Sequence, residues 1–386
     1  MVQPHRWRVS GWVHRAAILA TCWLLVIGCV PSLTAGTRPL LKIGLVAPFE
    51  GLERPLGYEA LQGVQLALAE RNAAGGVEGS PVELVALNDF GEPAEAALQA
   101  AELAADPAVI GALAGWSDDV AAAVLPRYQE AGLAVAVPWS VSGQLANSKR
   151  GTVLVAASTE RVAESLGRQL AHRHPIDAVL AGDAASAAPF LATSTVSLRV
   201  VPPPAAFDDA LCQEWAARVA GDAARSPDAL VLAMHGGLAG EVLRVLVTEH
   251  GWHGAAFGDA QAGSGELTAV ASGAAAGLIF GSPAPAGTDL AAGAELPVGS
   301  RVSDLGPRAV AAYDAAQVLL DAIATAIQRD GQADRRAVLA ALSGVRRLGL
   351  TGEIAFDEQG RRVDAPVWLY RLGDGQCPGT LVESDP

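Results

Sequence analysis

Lysine is nearly missing: Lys42 and Lys149 are the only two in 386 residues, so almost every basic residue is arginine. Positive charge is scarce overall, with 27 basic residues against 41 acidic ones and a net charge of −14. A chain this acidic lacks the positive footprint that phosphate backbones require, which speaks against a nucleic-acid partner. Aromatic residues are only 5% of the chain. The four cysteines are Cys22, Cys29, Cys212 and Cys377, and no Cys/His spacing resembles a metal site; His172 and His174, two apart, cannot share a helix face. There is no Gly-x-Ser-x-Gly elbow, no Gly-Lys-Ser/Thr phosphate loop and no His-Glu-x-x-His. The acid pairs Asp118-Asp119 and Asp208-Asp209 are adjacent, and neighbours on a helix do not face each other. No catalytic residue, metal or cofactor is therefore expected. The 51% hydrophobic content excludes a disordered chain, because it supplies enough apolar surface to offset chain entropy.

The N-terminus reads as an export signal. Arg6, Arg8 and Arg15 form a positive segment, and Ala16 to Gly28 is an uncharged apolar run, short for a bilayer span of ~20 residues but suited to a signal core. It ends in Val26-Ile27-Gly28-Cys29, similar to a lipobox, in which cleavage precedes the cysteine and a lipid is joined to its sulfur. A retained membrane helix extending to Ala35, or a cleaved signal without lipid, are the alternatives. Residues 29–39 then serve as a tether. Loss of residues 1–28 removes three arginines and no acid, taking the net charge to −17. The expected location is the outer face of the cytoplasmic membrane or the periplasm, where Cys212 and Cys377 could pair in a disulfide.

From residue 40 onward, apolar runs alternate with amphipathic stretches. Strands are predicted at Leu41 to Ala47, Val82 to Leu87, Val109 to Ala114 and Leu133 to Val137, with helices between them. On the first helix, Leu61, Val64, Gln65, Leu68 and Ala69 form the expected buried stripe. The pattern restarts at Val153 and runs through strands near Ala178, Val196, Ala229, Ala255 and Gly277, and a long helix is expected over Ala309 to Gln328. This alternation predicts βαβ units, hence an α/β fold of two doubly wound parallel-sheet lobes with a cleft at their strand ends.

The ordered series Lys42-Ile43-Gly44-Leu45, Asn72 to Gly79, Asp106 to Gly111, Pro138 and Gly352 to Gly360 resembles the type I solute-binding proteins of branched-chain amino acid ABC transporters, over about residues 40–372. The resemblance implies three hinge crossings, near Ala157, Pro283 and Thr351. The lobes would then be 40–157 plus 284–350, and 158–283 plus 351–386. It also implies a monomer that holds a small amino-acid-like ligand and meets an ABC permease in the membrane. A ligand-sensing subunit of the same fold, or a scaffold lipoprotein, are the alternatives.

By the same resemblance, Ser117, after Trp116, would offer its hydroxyl to a ligand carboxylate; a cap on the helix that follows is the equal alternative. Trp139, Ser140 and Val141 occupy the second ligand-facing segment, and Leu56 and Tyr58 the first loop. Asp259 corresponds to the acid that meets the ligand ammonium, and His235 stands near a position usually aromatic. Gly182 to Ser186 has no tyrosine where the family places a ring, so the cleft is expected to be short of aromatic walls.

Overall fold

The computed structural model describes residues 40–51, 53–172, 177–182, 197–202, 209–225, 228–290, 301–373 and 377–385. The signal, Cys29 and the tether lie outside the described residues, as do residues 183–186 of the loop said to lack a ring and the side chain of Cys212. Cys377 is a free cysteine.

Strand β1 (Leu41–Ala47) is buried along its length except at Lys42, whose ammonium reaches Asp106 at 2.9 Å. Helix α1 (Arg54–Ala73), strand β2 (Val82–Asn88), helix α2 (Pro93–Ala105), strand β3 (Val109–Leu113), helix α3 (Asp118–Glu130) and strands β4 (Ala134–Val137) and β5 (Thr152–Leu154) follow. These strands form a wholly parallel sheet in the order β2-β1-β3-β4-β5. Both of its faces are covered, which is why β3 and β4 read as unbroken apolar runs.

The second sheet begins after helix α4 (Thr159–His172). It takes in β6 (Asp177–Ala181), β7 (Ser197–Val201), β8 (Ala229–Leu232), β9 (Ala255–Gly258) and β10 (Ile279–Ser282), with helices α5 (Asp209–Arg225), α6 (Gly236–His250) and α7 (Gly265–Ala271). The chain then returns to the first sheet as α8 (Pro307–Asp330), α9 (Arg335–Leu342) and the hairpin β11 (Arg347–Gly349) and β12 (Gly352–Ile354). It ends with β13 (Val367–Arg371) and β14 (Thr380–Asp385), two antiparallel strands that extend the second sheet to the order β14-β13-β10-β9-β8-β6-β7. The alternating pattern does not announce β13 and β14, which add an antiparallel edge to the otherwise parallel second sheet. Each sheet with its helices is termed a lobe below.

Helix α8 is long and apolar enough to span a bilayer, but 78% of its most apolar window is buried in this fold. It lies against α1, β3 and β4. The two helices come close at Gly63, where a Cβ would stand 2.0 Å from the Ala309 carbonyl oxygen. Of the expected stripe on α1, Val64 and Leu68 are buried, together with Ala60, Gly63 and Ala67, Leu61 is half-buried, and Gln65 and Ala69 are exposed.

Two of the passages between the sheets are tied by buried charge. The Arg362 guanidinium donates to the carbonyls of Val155, Thr351 and Glu353 and to Thr351 Oγ1. Asp314 of α8 accepts from Thr351 Oγ1 and from the backbone N–H groups of Leu350 and Thr351.

Candidate functional site

In open parallel sheets the crevice beyond the carboxyl ends of the strands is where ligands are met. Here the loops after β1, β3 and β4 of the first lobe face those after β8 and β9 of the second, and two direct bonds cross between them. His235 Nδ1 lies 2.6 Å from Glu53 Oε1, and Gln261 Nε2 donates to the Trp116 carbonyl at 2.8 Å.

Ser117 follows β3 and caps α3, with its Oγ accepting from the Val120 N–H at 3.4 Å. A hydroxyl that accepts a cap bond still has its own proton to donate. Trp116 is buried and its indole N–H donates to the Val46 carbonyl, so the ring is fixed to the end of β1. Asp118, in the first turn of α3, accepts from the Ser142 N–H and so ties the loops after β3 and β4 together.

After β4 the three expected residues part company. Trp139 is buried beneath the Arg308 guanidinium, whose Cζ is 4.3 Å from the ring centroid. Ser140 is buried and its Oγ has no hydrogen-bond partner among the described residues. Val141 packs into the first-lobe core with Val120, Val124 and Leu145, so its side chain is spent on packing and not on the crevice. On the first loop, Leu56 is half-buried, whereas Tyr58 is 46% exposed, edge-on to Phe49 and close to Arg54. Tyr58 thus stands apart from the cluster.

In the second lobe, Asp259 Oδ1 accepts from the N–H groups of Gln261 and Ala262, a local turn that shapes the loop. Burial pushes its carboxyl up to about 7, against these two hydrogen bonds and His235; the charge of Asp118 on the opposite lobe pushes the same way. Ser264, and not Asp259, caps α7. His235 is raised above its ordinary value by its hydrogen bond to Glu53, against burial.

Three residues that close this cluster escape a reading by motif. Glu53 precedes α1, where an acid has the ordinary role of complementing the helix dipole. Gln261 is a surface-type residue whose partner is a backbone carbonyl 145 positions away. Arg308 did leave a signal: it follows Pro307 at the second position of α8, where a cation is disfavoured by the dipole.

The family description "periplasmic binding protein" matches residues 41–376. A curated amino acid binding protein of Pseudomonas aeruginosa is 28% identical over 137 residues, 36% of this chain and 36% of that protein, so the match spans about a third of that relative's length. Among solved structures, a leucine binding protein of Thermotoga maritima superposes with a TM-score of 0.75 at 19% identity, covering 89% of this chain and 98% of that one. An ABC transporter solute-binding protein of R. palustris in complex with 4-hydroxybenzoate gives 0.72 at 16% identity, over 90% and 98%. At these identities the structural likeness speaks for the fold. The chain belongs to the periplasmic binding protein family, and its two lobes have the type I fold of the branched-chain amino acid transporter substrate-binding proteins.

Proposed function

We propose that the protein is an extracytoplasmic solute-binding lipoprotein, anchored through Cys29, that captures a small amino-acid-like ligand between its lobes and delivers it to an ABC permease. The observation that carries this is the pair of bonds between facing strand ends, Glu53–His235 and Gln261–Trp116, which belong to a crevice that closes. The hinge crossings are placed near Ala157, Pro283 and Thr351. Ser117 and the N-terminus of α3 face the ligand carboxylate, and Asp259 lies across from them. The amino acid binding and leucine binding relatives support an amino-acid-like ligand, and the 4-hydroxybenzoate complex extends the class to aromatic acids.

Thermal denaturation of the purified protein against amino acids, carboxylates, amides, sugars and nucleosides tests this. A solute at a hundredfold excess over its Kd stabilises by about 2.7 kcal/mol. At least one amino-acid-like compound is expected to raise the midpoint, and Ser117→Ala combined with Asp259→Ala is expected to abolish the rise. A flat response to the whole panel overturns the proposal. Membrane release on Cys29→Ala tests the anchor separately.

A further inference from the structure

The Arg308 guanidinium is 4% exposed, lies over the Trp139 ring, and its Nη2 has no hydrogen-bond partner among the described residues. Trp139 Nε1 is likewise buried without a partner, and so is the hydroxyl of adjacent Ser140. Arginine and indole nitrogens can only donate. A group that completes them must therefore accept, and beside a guanidinium the strongest acceptor is an anion. Two acids lie within electrostatic reach of Arg308, and both are engaged elsewhere. Glu53 holds His235, and Glu59 takes the backbone N–H groups of Arg308 and Ala309. An arginine in the first turn of α8 opposes the helix dipole, and a buried, open donor on it is costly. A broken local rule of this kind is the mark of a functional position.

We infer that Arg308, with Ser140 and Trp139, is the seat of the ligand's negative charge, and that the solute class is a small organic carboxylate for which an ammonium group is dispensable. This rests on the crevice being the solute site, and it adds a charged seat on the first lobe to Ser117, whose hydroxyl caps α3 and keeps its own proton to donate. The acid expected to meet an ammonium, Asp259, directs Oδ1 to two backbone N–H groups of its own loop.

Isothermal titration of the purified full chain with benzoate and isovalerate, beside leucine, benzamide and isovaleramide, tests the inference. Both simple carboxylates are expected to bind and both neutral amides to fail. Arg308→Met is expected to weaken carboxylate binding about ten- to a hundredfold, the loss of one charge-assisted bond, with Arg308→Lys intermediate. Ser140→Ala gives a second, smaller loss and serves if Arg308→Met does not fold. Carboxylate affinity unchanged in Arg308→Met, or unchanged in Ser140→Ala where the arginine variant does not fold, overturns the inference, as does a protein that binds neither benzoate nor isovalerate. In those cases binding of leucine or any other solute leaves the crevice reading standing. Failure with every solute class removes both.

Discussion

Glu53 and His235 give the contact between the lobes a dependence on pH. Burial alone would push Glu53 up, but the His235 hydrogen bond and charge, with the charge of Arg308, hold it below its ordinary 4.5. The Glu53 hydrogen bond raises His235 above 6.5. The pair therefore contributes fully below 6.5, loses strength as pH rises through the raised value of His235, and fails again only as pH falls through the lowered value of Glu53. Because the imidazole is half-exposed, the effect is small, about 0.2–1 kcal/mol. Titrations of a bound solute from about pH 6 to about pH 9 are expected to weaken up to about fivefold, and His235→Gln to flatten that slope. Asp259 behaves in the opposite sense to an ordinary carboxylate. Its folded value of about 7 exceeds the unfolded 3.8, so the native state holds the proton and loses stability as pH rises toward about 7. Asp259→Asn is expected to melt higher than the parent in mildly alkaline buffer, with the gap narrowing as pH falls and closing only near the unfolded 3.8, read by thermal denaturation. At this scale the sequence was half legible. Ser117, Asp259 and Trp139 stand at strand ends that motif order identifies. Glu53, Gln261 and Arg308 act through partners distant in the chain, and no local spacing encodes those contacts.

The elements were more legible than their faces. Parallel strands covered on both sides write themselves as apolar runs, and so β1 to β4 could be placed from the sequence. The face of α1 was only partly legible: Val64 and Leu68 are buried as expected and Leu61 packs half-buried on the core, but Gly63 admits the backbone of α8, and Gln65 and Ala69 are exposed. Gly63→Ala would set a Cβ 2.0 Å from the Ala309 carbonyl oxygen and is expected to cost about 1–3 kcal/mol in urea unfolding. A rise in stability would show that the helices part easily there. Strands β13 and β14 were missed for a related reason. β13 pairs with β10, more than 80 residues upstream, and β14 with β13, and these antiparallel pairings make no βαβ rhythm.

For the molecule as a whole, the Asp314–Thr351–Arg362 network joins α8 to two passages between the lobes. Burial pushes the Arg362 guanidinium down to about 10 and raises Asp314, with the charge of each partner opposing that shift in the other. Removing one partner of such a pair leaves a buried charge uncompensated, so Arg362→Met is expected to lose about 3–5 kcal/mol in chemical unfolding. A smaller loss, with solute binding intact, would mark the network as dispensable to the passages it joins. The cross-lobe bonds Glu53–His235 and Gln261–Trp116 carry a different consequence, because both are made wholly of protein groups. Part of the free energy of closing is then intrinsic to the chain, and on the proposed reading those empty molecules that have closed must open before a solute enters. In kinetic terms association becomes gated: its observed rate climbs with solute concentration and then levels off at the rate of opening, a ceiling that His235 and Gln261 set and the solute does not.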